Sequence, residues 1–343
     1  METARKALVR LLNNRLAHIM VSHNILQGNQ FAGLPGSSTF EPIRILNEII
    51  EDSREKNNEL WILYQDLSKA YDRVNIHMLK KALLRLKIPI NFSDLIINLF
   101  TNRTNQVFTA VGTTDQYQVV IGIDQGEVIS PLLWCIYYDP LLCEIKNRNL
   151  GYTLQHQYRS NLYNDALTTI EEIVSILAFM DDTTWITKSQ SQLEEMLSIA
   201  DDFYRLNNIK VNKEKSVLMA KQQNKKQMDP IALTFGQEQI TITPTSYQES
   251  TRFLGVWLNL AGNRQFVIQQ ARDEVLSTVN VLKTKFITDK QLLYIYNMVV
   301  IPRIEYRAQL THFNQRDCDI ISAPFRKFFK NKIHLSTSAP MRF

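Results

Sequence analysis

Ile173-Val174-Ser175-Ile176-Leu177-Ala178-Phe179-Met180-Asp181-Asp182-Thr183-Thr184-Trp185-Ile186 sets two adjacent carboxylates inside a run that is otherwise mostly apolar and β-branched. The pattern predicts two short buried strands meeting at a tight turn, with Asp181 and Asp182 at the tip. Neighbouring side chains in a regular strand point to opposite faces, whereas at a turn both can reach one open edge. Carboxylates beside a core strand must be paired, hydrated or bound to a cation. A divalent ion such as Mg²⁺, which takes oxygen ligands, would satisfy them. A plain polar hairpin turn is the alternative at this point.

Upstream, Leu60-Trp61-Ile62-Leu63-Tyr64-Gln65 is an apolar strand ending at Asp66, and Tyr71 and Asp72 follow closely. Asp72 reads as a helix-start residue. Asn75 suits an N-cap for a helix with Met78, Leu79, Leu83 and Leu86 on one face, stopped by Pro89. Residues 106–111 and 118–123 alternate as a hairpin around 112–115. Asp124-Gln125-Gly126-Glu127-Val128-Ile129-Ser130-Pro131 comes next, with Ser130 as N-cap and Pro131 as first helical residue. At Gly126 the missing side chain leaves room for a planar or phosphorylated ligand.

At the N-terminus, Leu8, Leu11, Leu12, Leu16, Ile19 and Met20 mark the apolar stripe of a helix over 4–26. The loop from Gln30 to Thr39 is rich in Gly, Pro and Ser, and reads as a turn before a helix or as a phosphate-approaching loop. Beyond the aspartates, Ser191 to Glu194 has capping-box spacing. Residues 209–216 read as a basic turn leading to a strand, and 221–230 as a surface loop carrying Lys221, Lys225 and Lys226. Arg252–Leu258 reads as a buried strand containing Gly255. From 264 onward the pattern is helical, with Val267, Ala271, Val275, Val279 and Leu282 on one face. A second helix runs over 289–300 until Pro302 breaks it.

Composition bounds the partners. The 343 residues exceed what one core usually serves, so two or three lobes are expected. Residues 261–343 hold 13 Lys/Arg against 6 Asp/Glu, while the remainder holds 26 against 28. A basic C-terminal lobe on a near-neutral body suits a polyanion, nucleic acid first, or a solvated cationic surface. Cys135, Cys143 and Cys318 are scattered and match neither a zinc site nor a disulfide framework. With no signal-peptide pattern and no membrane-length apolar run, an intracellular protein without a membrane role is expected.

The order of these motifs is more specific than any one of them. A strand ending in Asp66 with Tyr71 beyond it, Gln125-Gly126 and Ser130-Pro131 before a helix, Phe179-Met180-Asp181-Asp182 in a hairpin, a loop bearing Lys215 and a Phe253-Leu254-Gly255 strand follow one another. Over roughly 5–310 this resembles the polymerase core of reverse transcriptases, of the non-LTR, LINE-like type. The resemblance implies an α+β right-hand polymerase, with fingers, a palm of antiparallel sheet backed by helices, and a helical thumb. Partial fingers over 1–58, lacking their N-terminal part, a palm over 59–260 and a basic thumb with C-terminal tail over 261–343 are then expected.

It further implies that Asp66, Asp181 and Asp182 are catalytic metal ligands for two Mg²⁺ ions, with Mn²⁺ as substitute. Tyr71 would lie under the incoming sugar, Gln125 and Gly126 would line the nucleotide pocket with Lys215 nearby, and Phe253, Leu254 and Gly255 would form the primer grip. The implied partners are an RNA template, a DNA primer and deoxynucleoside triphosphates. The competing readings are a non-catalytic nucleic-acid-binding remnant, another palm-fold nucleotidyltransferase and a purely structural partner protein. A bulky ring at 71 would crowd a 2′-hydroxyl, which argues against an RNA polymerase.

Overall fold

The computed structural model describes residues 3–159, 167–222, 229–336 and 338–339. In chain order the elements are α1 (Thr3–Ser22), α2 (Phe40–Glu55), β1 (Leu60–Ser68), a 3₁₀ turn (Tyr71–Arg73), α3 (Ile76–Arg85) and α4 (Ile90–Asn98). Four short strands follow, β2 (Arg103–Asn105), β3 (Phe108–Thr109), β4 (Gly112–Thr113) and β5 (Tyr117–Val119), then α5 (Ser130–Asn147). Next come β6 (Tyr152–Arg159), β7 (Leu167–Val174), β8 (Ile176–Phe179), β9 (Asp182–Thr187), α6 (Gln190–Asn207), β10 (Lys210–Lys221), β11 (Ile231–Phe235) and β12 (Glu238–Ile242). The chain closes with β13 (Thr251–Phe253), β14 (Val256–Leu258), α7 (Gln265–Leu282), α8 (Asp289–Ile295), a π segment (Tyr296–Val300), α9 (Ile301–Arg307) and α10 (Gln315–Lys332). The fold is α+β. No helix among the described residues is long and apolar enough to cross a membrane.

The chain divides into two compact units, 1–42 with 55–246, and 43–54 with 247–343. The β13–β14 hairpin lies in the second unit with the C-terminal helices. Tyr306 of α9 donates its hydroxyl to the Leu254 carbonyl at 2.7 Å.

In the first unit, β10-β1-β9-β8 form an antiparallel sheet. Strand alternation sends Trp61 and Leu63 of β1, Trp185 of β9, Ile176 and Ala178 of β8, and Leu218 and Ala220 of β10 to one face. That face packs with α3, α5 and α6 in the main core. Trp61, Trp134 and Trp185 are all fully buried there. Helix α5 is apolar nearly all round and accordingly buried along its length.

Several local expectations shift. On α1 the buried residues are Val9, Leu12, Leu16, Ala17 and Met20, while Leu8, Leu11 and Ile19 are exposed. Two apolar stripes one residue apart both fit a helical period, and only the packing partner distinguishes them. Helix α5 starts one residue early, with Ile129 at the N-cap. Ser189, not Ser191, caps α6, accepting from the Gln192 amide at 3.3 Å. The 103–119 region makes two short ladders, β2–β5 and β3–β4, instead of one hairpin with arms over 106–111 and 118–123. Residues 210–221 are one strand, since Asn208 makes the turn in left-handed conformation. Lys221 closes that strand and is buried, and Lys225 and Lys226 lie outside the described residues. Asn75 does cap α3, accepting from the His77 and Met78 amides.

In the second unit, the apolar faces of α7 and α10 meet around Tyr296, whose ring stacks on Phe325 at 4.0 Å. Val267, Ala271, Val275, Val279 and Leu282 are all buried. Pro302 does not break the helix. It lacks an N–H and would crowd the carbonyl four residues back, and the wider π turn at Tyr296–Val300 absorbs that clash. Arg252–Leu258 is a hairpin, not one strand, with Leu254 and Gly255 at φ 45° and 88°. Positive φ at both central residues matches the strand twist of a two-residue turn.

Candidate active site

The site grows from β1 and the β8–β9 turn. Strands β8 and β9 pair up to Phe179↔Asp182, so Met180 and Asp181 form a two-residue turn, with Met180 at φ 56°. Strand β1 runs through Asp66 to Ser68 instead of ending at Asp66. Continuing its register with β9 one step beyond Gln65↔Thr183 sets Asp66 opposite Asp182. Both lie on the sheet face opposite the helical core, at the end where the strands run out.

The three carboxylates feel one another. Partial burial raises the Asp181 carboxyl above its usual range, and the Asp66 charge adds to the rise. Asp182 is pushed up to about 6, first by partial burial, then by Asp181 and Asp66. Like charges at close quarters disfavour joint ionisation, and a divalent cation removes that conflict. Among the described residues no three acidic, His or Cys side chains form a ready-made metal cage. This donor set suits Mg²⁺, which keeps several waters and needs only a few carboxylates.

Lys215 lies beside this cluster. Opposite Gln65, β10 bulges by several residues between Asn212 and Val217. From that bulge the Lys215 ammonium reaches the Asp66 carboxylate at 3.5 Å. The lysine thus sits in a strand bulge, not in a loop, and its cation faces a carboxylate.

Tyr71 stands in the 3₁₀ turn after β1, its hydroxyl donating to the Met180 sulfur at 3.4 Å and its ring 5.8 Å from Trp134. Burial, with the Asp181 charge adding to it, pushes its hydroxyl up to about 12, so it stays a neutral donor. Asp72 is exposed within that same turn. The loop before Gln125 is tied to it: the Gly122 amide donates to Val74 O at 2.8 Å and the Ile123 amide to Tyr71 O at 2.9 Å. Gln125 and Gly126 are therefore held near Tyr71, both exposed, with Gly126 at φ 94° and open space where a Cβ would lie. A cavity of about 540 Å³ opens beside them, lined by Asp72, Arg103, Tyr117, Gly122 and Gln125 among others. Phe253, Leu254 and Gly255 belong to the second unit.

Other residues that hold the site carry no motif. Gln65 is buried on the core face, where its side-chain oxygen accepts from the Trp185 indole at 3.2 Å and the Tyr204 hydroxyl at 2.8 Å. Tyr204 also bonds Tyr138 at 2.7 Å, and Tyr138 bonds Thr183 at 3.0 Å, so polar contacts lock β1 to β9 directly behind the carboxylates. Buried Arg103 donates to the Phe100 and Gly122 carbonyls and pairs with Asp124, fixing the loop that precedes Gln125. A buried glutamine or arginine beside an apolar run is the only sequence signal for either.

Residues 1–258 match the family described as "Reverse transcriptase (RNA-dependent DNA polymerase)". A Pol polyprotein of the type-1 retrotransposable element R2 from Popillia japonica is 25% identical, over 98% of this chain and 44% of its own length. The R2 polyprotein of Nasonia vitripennis is 23% identical over 97% of this chain and 30% of its length. This chain thus spans less than half of either relative. Apo telomerase from Candida tropicalis superposes with a TM-score of 0.50 at 14% identity, covering 96% of this chain and 50% of that one, a likeness of fold alone. With the family matched over most of its residues, the chain is a member of the reverse transcriptases, the RNA-dependent DNA polymerases, and its curated relatives are polymerases of non-LTR retrotransposons.

Proposed function

We propose that this chain performs template-directed DNA synthesis on an RNA template, as the polymerase core of a non-LTR retrotransposon. The observation that carries the reading is the convergence of Asp66, Asp181 and Asp182 from β1 and the β8–β9 turn, beside Tyr71 and the Gln125–Gly126 loop. In this reading the four-stranded sheet with α3, α5 and α6 is the palm, the elements ahead of β1 belong to the fingers, and the C-terminal helices are the thumb.

Asp66, Asp181 and Asp182 hold two Mg²⁺, or Mn²⁺, ions. When bound, these ions supply activation of the primer 3′-hydroxyl and charge stabilisation on the leaving pyrophosphate. The chain's own residues do the rest. The Tyr71 ring packs beneath the sugar and excludes a 2′-hydroxyl by collision. Gln125 and Gly126 offer an open, glycine-lined wall to the nucleotide. Lys215 partly neutralises Asp66 before metal arrives and is then available to the phosphates. The Lys/Arg surplus of residues 261–343 contacts the backbone of the RNA template and DNA primer.

Extension of a DNA primer annealed to RNA by the purified chain, with Mg²⁺ and deoxynucleoside triphosphates, tests this. Wild type should extend, and Asp66→Ala or Asp181→Ala should abolish extension while primer–template binding persists. Extension by Asp181→Ala at the wild-type rate would overturn the metal-site reading. A folded wild type that binds primer–template but never extends it would favour the non-catalytic reading.

A further inference from the structure

The Met180–Asp181 turn is held in a conformation that its own residues do not favour. Met180 has φ 56°, and a bulky L residue is strained in the left-handed region unless its surroundings over-determine it. Here they do. The Gln30 side chain meets the Met180 backbone on both sides: its oxygen accepts from the Met180 amide at 3.0 Å, and its nitrogen donates to the Met180 carbonyl at 3.2 Å. The Trp134 indole donates to that carbonyl at 2.9 Å. The Tyr71 hydroxyl reaches the Met180 sulfur.

Gln30 is delivered there by backbone. The segment around it pairs in parallel with the edge of β8: the Phe31 amide donates to Ala178 O at 2.8 Å, and the Ala178 amide donates to Asn29 O at 3.0 Å. Just ahead, buried Asp139 of α5 accepts from the Gln27 and Gly28 amides and pairs with Arg85 of α3. Asp139, within α5, thus anchors a short bridging segment from which the Gln30 side chain grips the turn. A primary amide of this length accepts from an N–H through its oxygen and donates to the adjacent carbonyl through its nitrogen at once. A carboxylate would face the Met180 carbonyl oxygen with no proton, and asparagine is one carbon short.

We propose that Gln30 is a positioning residue for Asp181: it fixes the left-handed Met180 and so aims the neighbouring carboxylate at the metal. This rests on the reading of Asp181 as a metal ligand. The residue touches no substrate; it acts through the turn.

The test is primer extension by Gln30→Met and Gln30→Glu across a Mg²⁺ titration, with primer–template affinity and thermal unfolding measured on the same proteins. Losing the two bonds should raise the Mg²⁺ concentration for half-maximal rate about tenfold and lower kcat by a similar factor. Affinity for primer–template should stay within about twofold. Asparagine tolerates the left-handed region, so Met180→Asn placed on Gln30→Met should recover part of the Mg²⁺ response. A fold-only role would lower stability without moving the half-maximal Mg²⁺ concentration, and that result in a folded variant overturns the proposal. If Gln30→Met fails to fold, the near-isosteric Gln30→Glu carries the test. Failure of the underlying metal reading would show separately, as activity retained in Asp181→Ala.

Discussion

Replacing Asp182 by asparagine should stabilise the metal-free protein at alkaline pH while removing part of its response to Mg²⁺. In the folded chain the Asp182 carboxyl is pushed up to about 6 by partial burial, Asp181 and Asp66. Unfolded, an aspartate titrates near 3.9, and the gap of roughly 2 units sets a ceiling of about 3 kcal/mol. Asp182 still keeps much of its surface in solvent, which screens the repulsion, and about 1 kcal/mol is the realistic size. The sign follows from the raised value. The proton's contribution to stability is complete below about pH 4 and is lost as pH rises through about 6. Above pH 6 the wild type carries an unrelieved carboxylate cluster, and the asparagine variant does not. In chelator at pH 8, Asp182→Asn should unfold about 2 °C higher by circular dichroism, and the difference should vanish near pH 4. Added Mg²⁺ should stabilise the wild type more than the variant, because the cation relieves the same repulsion. A variant less stable than wild type at pH 8 in chelator would refute the electrostatic account.

Tyr71→Ala should admit ribonucleotides, seen as a fall of tenfold or more in the ratio of kcat/KM for deoxyribo- over ribonucleotide; an unchanged ratio would exclude the ring as the discriminator. Tyr204→Phe removes one donor to buried Gln65 and one partner of Tyr138, and should cost about 1–3 kcal/mol in denaturant unfolding with the nucleotide KM little changed. Lys285→Gln with Lys290→Gln should weaken primer–template binding and reduce the slope of log K against log salt by up to about 2; equal slopes would place the phosphate contacts elsewhere.

Much of the site is written in local pattern. Charged residues interrupting apolar strands marked Asp66, Asp181 and Asp182, and Asn75 before an apolar-periodic run marked a helix start. Each of these depends on neighbours a few residues away. The misplaced elements were those with two equivalent local solutions. On α1 two adjacent stripes fit one period, and the core took the stripe through Val9 and Leu16. Around Pro302 a break and a π turn are equally open to the sequence, and packing of Tyr296 on Phe325 accompanies the continuous helix.

Sequence by itself determined the order of strand, aspartate, aromatic, Gln-Gly loop and Asp-Asp turn, because composition and spacing set which segments are buried and where their charges fall. Tertiary structure alone decided what those residues meet. Asp66 is far in sequence from Asp182, and only the antiparallel register of β1 with β9 sets them opposite each other. Gln30 is separated from Met180 by |i−j| = 150, and Gln65 from Tyr204 by |i−j| = 139. An uncharged amide leaves no local trace of the bond it will make, since its partner is chosen by how strands and helices close upon one another.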